Sequence, residues 1–294
     1  MTTALAAPAA AQAIEHELDQ ARSQGPLRTI VIPPCPDLLS RVQAALALPE
    51  PDLAEVSHIA SCDVAMAAAL LRVANSALYR GEMPVHTVGQ AMNRLGLERT
   101  AAEMRSYIAR HALPVRSPHL ARFWERAGKR ATAMAYLARR LPGLSADLAH
   151  TCGLFSHVGL PVMLQGLKGY SGTLVEANAR LDRPFIATEN ANHRTDHAVV
   201  GALVARVWHL GPTVMAAIRR HHDLDMLGDQ ATDHDVHHLV ASLHVAEHLM
   251  RLNEGLEPDA DWTAHGQRSL DWLGADEQDL LDWAEDLQAA FEAV

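Results

Sequence analysis

The sequence predicts an all-α protein. Alanine and leucine dominate its 294 residues while aromatic residues make up only 4%, a composition that favours helix over strand. Apolar residues recur at helical spacing in one segment after another, and no segment shows the regular apolar and polar alternation of a half-buried strand. Because 49% of the residues are apolar, the chain can bury a sizeable core, and its length predicts one or two domains.

The first helices are marked by their capping residues. A proline-rich stretch at 33–36 stops any earlier element, and prolines at 49 and 51 end the helix that follows it. After a break at 75–84, a fourth helix is closed by Gly96 in the manner of a C-cap. The residues predicted to begin the four helices are Asp37, Asp52, Asp63 and Thr87. This stretch therefore predicts a compact helical bundle with short connections.

Composition also limits the partners and the compartment. The net charge of -10 argues against a nucleic-acid-binding protein. Cys35, Cys62 and Cys152 are an odd number of cysteines without metal-site spacing, which is typical of free thiols in a reducing cytoplasm. Because no apolar run reaches about 18 residues, no membrane span is predicted. We therefore expect a cytoplasmic protein with no nucleic-acid partner and no membrane partner.

Charge is distributed unevenly along the chain. Residues 94–140 contain eleven Lys or Arg against three Glu, whereas residues 254–294 contain twelve Asp or Glu against one Arg. The basic segment either receives an anionic partner or binds the acidic segment of the same chain. In a third interpretation, both segments are solvated helix faces.

Four N-terminal segments resemble the signatures of the HDOD domain family in order and spacing. They read Pro-Pro-Cys-Pro at 33–36, Ile-Ala-Ser-Cys-Asp at 59–63, Leu-Leu-Arg-Val-Ala-Asn-Ser-Ala-Leu-Tyr at 70–79 and Ala-Met-Asn-Arg-Leu-Gly at 91–96. The similarity continues through a Phe-Trp pair at 123–124, the segment 152–159 and the segments 197–203 and 218–222. It covers about residues 28–250, and its most specific element is Leu-Arg-Val-Ala-Asn-Ser.

The resemblance implies two abutting helical bundles, an N-terminal bundle at 28–115 and a degenerate HD-like bundle at 116–252. The family is similar in fold to HD-type phosphohydrolases but is regarded as a non-enzymatic output module of bacterial signalling. We therefore expect a regulatory protein that acts by protein–protein interaction or by sensing a ligand. Its partners would be signalling proteins, and its ligand would be a small molecule or a nucleotide.

The metal-binding positions of the HD superfamily are altered in this chain. Where the resemblance leads one to expect an adjacent His-Asp pair, the sequence has Ser156 and His157, and Arg126 stands at the counterpart of the first ligand histidine. A carboxylate is the hard oxygen ligand of a hydrolytic Mg or Mn site, and neither a hydroxyl group nor an imidazole replaces it well. The resemblance identifies as degenerate HD-site positions Arg126, Ser156, His157, His197, His221 and His222.

We therefore expect no catalytic residue, no cofactor and no bound metal. Imidazoles without a carboxylate suit Zn or Ni, so any metal that did bind would be held by His157, His197, His221 and His222. Two alternatives stay open: these histidines hydrogen-bond within the bundle core, or they form the atypical site of a metal-dependent HD-type phosphohydrolase. A further pattern at 244–248 matches the H-x-x-E-H motif of some zinc peptidases, but the sequence offers no strand for substrate binding.

A second candidate motif, for interaction or structure, follows the third predicted helix. Asn75 and Ser76 lie at the helix end, and Tyr79 lies in the loop beyond it. Polar residues in such a place either satisfy local backbone groups or contact a partner. If the loop joins the two bundles, loss of the Asn75 side chain should lower the melting temperature.

Both ends of the chain lie outside the resemblance. Residues 1–27 are predicted to be a partly disordered lead, because the Ala-rich start lacks the basic region of a signal peptide. Residues 253–294 are an acidic extension, in which 255–274 is predicted to be a connector. Asp276 is expected to cap a terminal amphipathic helix, which packs on the chain's own bundle or in the groove of a partner. Its predicted apolar face consists of Leu280, Trp283, Leu287 and Phe291.

Overall fold

A computed structural model describes residues 9–23, 25–76, 78–79, 81, 83–180, 182–229 and 232–292. Within these residues the regular elements are helices and no strand occurs, which confirms the all-α class. The chain divides into two compact units. We call Pro33–Pro114 together with the described residues 289–292 the N-terminal bundle, and we call the described residues up to Ile32 together with Val115–Gln288 the HD-like bundle.

The α-helices are numbered in chain order. They are α1 (Ala9–Ser23), α2 (Asp37–Leu46), α3 (Leu53–Cys62), α4 (Val64–Ala74), α5 (Val88–Ala112), α6 (Phe123–Arg140), α7 (Ala146–Phe155), α8 (Gly159–Gly166), α9 (Tyr170–Ala179), α10 (Phe185–His193), α11 (His197–Val207), α12 (Pro212–Arg220), α13 (His234–Asn253), α14 (Ala260–Leu273) and α15 (Glu277–Glu292).

Side-chain caps begin three helices of the N-terminal bundle, as the sequence predicts. Asp52 and Asp63 accept hydrogen bonds from backbone N–H groups in the first turns of α3 and α4, and Thr87 does so within a capping box at the start of α5. The prediction for Asp37 is wrong in detail. Pro36 occupies the N-cap position, so that Asp37 is already the first residue of α2.

Gly96 interrupts α5. Its φ of 76° and ψ of 167° lie outside the helical region and in a part of backbone space that favours glycine. The first segment of α5 therefore ends at the residue that the sequence predicts as its C-cap, and a second helical segment begins directly after it.

The core of the HD-like bundle is built from α6, α7 and α13, with α12 against α7 and α13 and with α11 between α8 and α12. Three large aromatic side chains, Phe155, Tyr170 and Trp208, are fully buried in this unit. Phe155 and Trp208 meet edge to face, with ring centroids 5.7 Å apart. This packing brings together the residues that end α7, begin α11 and follow α12.

Within the lead predicted to be partly disordered, the structure describes a helix that the sequence analysis does not name. Helix α1 buries Ile14 and Leu18, which stand one turn apart and share a face. On its polar side, Asp19 pairs with Arg206 of α11 at 2.7 Å. The Ala-rich composition concealed this amphipathic pattern, and α1 belongs to the HD-like bundle.

The connector predicted at 255–274 is also wrong, because most of it forms α14. Asp259 caps this helix by accepting a hydrogen bond of 2.9 Å from the backbone N–H of Trp262. Leu270 and Leu273 are buried, and Gly274 ends the helix with a φ of 66°. Helix α14 packs on α13, which gives the acidic extension a structural place in the HD-like bundle.

The terminal helix α15 agrees with its prediction. Asp276 accepts hydrogen bonds from the backbone N–H groups of Gln278 and Asp279, at 2.9 and 3.0 Å. The apolar face is buried at all four predicted positions, Leu280, Trp283, Leu287 and Phe291.

Acidic residues near the C-terminus pair with the basic segment of the same chain. Asp286 of α15 accepts hydrogen bonds from Tyr136 at 2.6 Å and from Arg140 at 2.7 Å. Glu254 pairs with Arg122 at 3.3 Å and also with Arg126. Of the interpretations of the charge distribution, the structure thus favours binding within the chain.

In the described part of the chain, no single helix has both the length and the apolarity of a membrane span. Only the bent pair α3 and α4, whose axes differ by 112°, meets those criteria when its two helices are taken together.

Candidate functional site

Four histidines of the HD-like bundle come together in space, and we call them the histidine cluster: His157, His197, His221 and His222. His157 lies in the turn between α7 and α8, His197 begins α11, and His221 and His222 follow α12. The Nε2 atom of His197 lies 3.3 Å from Nε2 of His221 and 3.2 Å from Nε2 of His222. One ligand nitrogen from each ring lies within 4.8 Å of the others. The structure therefore brings together the four histidines that the sequence analysis names as potential ligands.

Local structure at the start of α11 positions this cluster. Asp196 caps the helix by accepting a hydrogen bond of 3.0 Å from the backbone N–H of Val199. Gly159, two residues after His157, lies directly against the backbone of His197, and a Cβ atom on Gly159 would be 2.1 Å from the His197 carbonyl oxygen. Only glycine permits this approach, which places the ring of His157 beside that of His197, with centroids 4.9 Å apart.

Three rings of the cluster, those of His197, His221 and His222, are hydrogen-bonded to an oxygen acceptor at Nδ1. A carboxylate or carbonyl oxygen only accepts, so Nδ1 of each of these rings, when neutral, carries the proton and Nε2 presents a lone pair. The Nδ1 contacts are His157 with Glu247 at 3.3 Å, His197 with Glu189 at 2.7 Å, His221 with the carbonyl oxygen of Ile218 at 2.7 Å, and His222 with Asp261 at 2.9 Å.

Sequence reasoning missed Glu189 and Asp261. Glu189 of α10 is fully buried and accepts hydrogen bonds from the Tyr170 hydroxyl and from the backbone N–H of His197, besides the His197 ring. Asp261 lies in α14, a segment that the sequence analysis takes for a connector. The caps of α14, Asp259 and Gly274, were the signal that would have revealed the helix.

Burial keeps part of the cluster uncharged. Together with the nearby guanidinium of Arg130, burial holds the pKa of His157 well below its ordinary value. Burial and the neighbouring His222 and His197 lower the pKa of His221 in the same way. Burial opposes the charging of His222, but the hydrogen bond to Asp261 and the negative charges of Asp261, Glu189 and Asp196 together outweigh it and raise the pKa of His222. At neutral pH, His157 and His221 are therefore neutral rings.

Ser156 and Arg126, the other two positions named from the family resemblance, do not belong to the cluster. Ser156 is fully buried and its hydroxyl donates to the carbonyl oxygen of Gly153 at 3.4 Å. Arg126 pairs with Glu254. The nearby carboxylates contact Nδ1 atoms or arginines, so the cluster as described offers imidazoles alone, which do not fit a hydrolytic Mg or Mn centre.

A cavity of about 240 Å³ opens beside the histidine cluster, with all four imidazoles in its wall. Five arginines and three acidic residues line it, and each of the five arginines is ion-paired with a carboxylate. The charged residues of the wall are Arg126, Arg130, Arg180, Arg183, Arg251, Glu247, Asp259 and Asp261.

The H-x-x-E-H pattern at 244–248 does not form a metal site in the structure. Nδ1 of His244 is hydrogen-bonded to the hydroxyl of Ser269 at 2.8 Å, and His248 stacks on the ring of Trp262 with centroids 3.8 Å apart. Glu247 instead pairs with the buried Arg130. The three residues of the motif therefore serve packing and ion pairing in the core of the HD-like bundle.

Asn75, the first residue of the second motif, acts within the N-terminal bundle. Its side-chain amide donates to the carbonyl oxygen of Val85 at 2.9 Å and its carbonyl accepts from the N–H of Val85 at 2.9 Å. The backbone N–H of Tyr79 donates to the carbonyl oxygen of Ser76 at 3.1 Å, and the guanidinium of Arg99 lies over the Tyr79 ring. The hydrogen bonds of Asn75 thus fasten the loop after α4 to the start of the next segment of the same bundle.

We expect Asn75→Ala to lower the melting temperature by several degrees. The substitution leaves the backbone N–H and carbonyl of the buried Val85 without both of these partners, a loss of about 1–3 kcal/mol. Thermal unfolding followed by circular dichroism measures the change. Ser76→Ala is the matched control, because its side chain makes neither bond to Val85, and equal melting of the two variants would contradict this role.

Comparison with known proteins agrees with the resemblance found in the sequence. A model of the HDOD domain family matches residues 32–224. A curated relative, an uncharacterized protein of Treponema pallidum (strain Nichols), is 26% identical over 268 residues, which are 89% of this chain. The chain spans about half the length of that relative, namely 50%.

Solved structures from three bacteria share the fold. A protein of Marinobacter aquaeolei VT8, provisionally described as a signal transduction protein, aligns with a TM-score of 0.73 and 19% identity over 97% of this chain and 64% of its own. An HDOD domain protein with unknown function from Geobacter sulfurreducens has a TM-score of 0.71 and 21% identity, over 95% and 98% of the two chains. A protein of Shewanella amazonensis SB2B, provisionally described as a phosphohydrolase, has a TM-score of 0.67 and 22% identity, over 96% and 94%.

Proposed function

The chain belongs to the HDOD domain family, and on that premise we propose that it is a regulatory module of bacterial signalling that acts by protein–protein interaction or ligand sensing, without turnover. The observation that carries this proposal is the composition of the histidine cluster, in which four imidazoles converge and no carboxylate of the described residues joins them as a ligand. Cys35, Cys62 and Cys152 are not joined by disulfide bonds, which is consistent with a reducing, cytoplasmic setting.

The absence of turnover follows from the chemistry of the donor set. Hydrolysis of a phosphoester by Mg or Mn requires oxygen ligands and an open position for water. Here Glu189 and Asp261 hold the Nδ1 protons of His197 and His222 and therefore face away from the point where the Nε2 atoms meet. The buried hydroxyl of Ser156 is directed to a backbone carbonyl.

The cavity beside the cluster supports the ligand-sensing part of the proposal. Its volume of about 240 Å³ and its arginine-rich wall suit a small anionic molecule. A ligand bound there would contact residues of α6, α11, α13 and α14, so it would link helices that lie far apart in the sequence.

A metal-dependent phosphohydrolase is the alternative function. It is favoured by the convergence of the histidines at the superfamily's metal positions and by the description of the Shewanella amazonensis protein of similar fold. In this chain such an enzyme would have to activate water at a centre formed by imidazoles, without the carboxylate that serves this purpose in hydrolytic Mg or Mn sites.

We expect the purified protein to be catalytically silent. Supplied in turn with Mg, Mn, Fe or Zn, it should not hydrolyse nucleotides, cyclic dinucleotides or simple phosphoesters, because no carboxylate ligand is present to form the hydrolytic centre. Phosphate release and chromatography of the nucleotides measure this, with an active HD-type hydrolase assayed in parallel. Turnover above a metal-only blank that His221→Ala abolishes would establish the phosphohydrolase instead.

A further inference from the structure

The Nε2 atoms of His197, His221 and His222 lie close together, and a ring nitrogen of His157 lies within 4.8 Å of the ligand nitrogens of these three residues. His197 and His221 have their Nε2 atoms 3.3 Å apart, and those of His197 and His222 are 3.2 Å apart. Zinc–nitrogen bonds are about 2.0–2.1 Å long, and tetrahedral geometry then separates the ligand nitrogens by about 3.3–3.4 Å. The spacing between these imidazoles is therefore close to that of a tetrahedral zinc centre.

The outer contacts prepare the rings to bind a cation. Because the Nδ1 atoms of His197, His221 and His222 are engaged by oxygen acceptors, Nε2 is the atom of each ring that faces its neighbours and can bind a cation. Hydrogen bonds from ligand imidazoles to carboxylates and backbone carbonyls are also the usual outer shell of protein zinc sites. His197 with Glu189, His222 with Asp261 and His221 with a backbone carbonyl reproduce this arrangement.

The charges around the histidine cluster also favour a bound cation. Glu189 is fully buried, and the partners of its carboxylate that the structure describes are a tyrosine hydroxyl, a backbone N–H and the His197 ring. A buried carboxylate without a cation is costly. Glu189 and Asp261 together supply two negative charges next to the cluster, which match one divalent cation. The positive charge of the nearby Arg130, which also lowers the pKa of His157, is partly offset by its ion pair with Glu247.

We propose that His157, His197, His221 and His222 bind one Zn²⁺ ion in a closed four-histidine site, with Glu189 and Asp261 as its charge-compensating outer shell. This inference replaces the metal-free site expected from the sequence. Four protein ligands fill a tetrahedral zinc centre and leave no position for water, as in structural zinc sites. The ion would link the turn after α7, the start of α11 and the end of α12. The proposal of a zinc site does not depend on the proposed lack of turnover.

Metal binding by the untagged, full-length protein tests this site. After treatment with a chelator, the chain should take up one Zn²⁺ in competition with a chromophoric indicator, and Zn²⁺ should raise its melting temperature by several degrees. Co²⁺ in its place should give the intense visible absorption of a tetrahedral complex rather than the weak absorption of an octahedral one. Glu189→Gln should weaken Zn²⁺ binding about 10-fold to 100-fold.

His197→Ala and the less buried His222→Ala should each weaken Zn²⁺ binding at least 100-fold and abolish the melting shift. Circular dichroism without metal shows that each variant is folded, and the second variant serves if the first does not fold. His237→Gln is the matched control, because it replaces a buried histidine that lies outside the cavity and bonds to the carbonyl oxygen of Met226. Its Zn²⁺ affinity should equal that of the wild type.

Two results would overturn the zinc site: no stoichiometric Zn²⁺ uptake by the wild type, or equal uptake by the wild type and both cluster variants. The first result would mean that the cluster does not bind zinc, and the second that other residues bind the metal. Either would leave the proposed regulatory function standing. Conversely, Zn²⁺ binding together with phosphoester hydrolysis would keep the site and overturn the proposed absence of turnover.

Discussion

Replacing Gly159 with alanine is expected to lower the melting temperature by about 10 °C and to impair the histidine cluster. The new Cβ atom would lie 2.1 Å from the carbonyl oxygen of His197 and 2.9 Å from the backbone nitrogen of Gly201, distances that no real contact adopts. Both neighbours are backbone atoms in α11, so relief requires α8 and α11 to move apart. A clash of this kind belongs to the small class of substitutions that cost several kcal/mol.

The experiment has a matched control in the same unit. Gly172 lies in α9 and a Cβ atom there would meet nothing within 4 Å, so Gly172→Ala should leave the melting temperature unchanged or raise it through higher helix propensity. Both variants are measured by thermal unfolding and by Zn²⁺ uptake. If Gly159→Ala had the same melting temperature as the wild type, the close approach of α8 to α11 would not be what holds His157 beside His197.

The contrast between the two regions of the chain shows which features a sequence reveals. Asp52, Asp63 and Thr87 were predictable as caps, because capping is a contact between a side chain and the backbone of its own first turn. Such signals lie within four residues and need no knowledge of the fold. The break at Gly96 was predictable for the same reason, since its positive φ is a local property.

The candidate site depends on contacts of long sequence separation, and these were predictable only in part. The four histidines were identified through family resemblance, but the Nε2 atoms meet only because Gly159 lets α8 approach α11. The contact between His222 and Asp261 spans 39 residues and uses a helix that was mistaken for a connector. Nothing in the sequence around Glu189 marks it as a buried partner of His197, because its burial follows from tertiary packing.

Glu247→Gln is expected to destabilise the HD-like bundle by about 3–5 kcal/mol, because it leaves a buried cation without its anion. The Arg130 side chain is only 5% exposed, and its described partners are Glu247 and, at 3.4 Å, the carbonyl oxygen of Gly153. Burial lowers the pKa of Arg130, while the attraction of Glu247 opposes this. Glutamine keeps the shape and a carbonyl acceptor but removes the charge, and thermal unfolding in the presence of a chelator measures the loss without any contribution from bound metal.

Two further variants test whether the loss of the Glu247 charge causes the loss of stability. The double variant Arg130→Met with Glu247→Leu should recover most of the lost stability, because it removes both charges and fills a similar volume. Asp182→Asn breaks an exposed ion pair between Asp182 and Arg180. The side chains of Arg180 and Asp182 are 39% and 63% exposed, and loss of their pair should change the free energy of unfolding by at most about 1 kcal/mol. A double variant no more stable than Glu247→Gln would show that packing, and not the unpaired cation, accounts for the loss.

Acidification provides an independent check with a defined sign. Burial opposes the ionisation of Glu247, but Arg130 and Arg126 outweigh it and lower the pKa of Glu247 from its ordinary value of 4.5. A carboxyl group whose pKa is lower in the folded state stabilises the fold above its unfolded pKa, and this contribution is lost as the pH falls through the folded value. The wild type should therefore exceed Glu247→Gln in free energy of unfolding by the largest amount at neutral pH. This difference should become smaller as the pH falls below 4.5. A difference that stays constant over this acidic range would mean that the Glu247 carboxylate does not carry the stabilising charge.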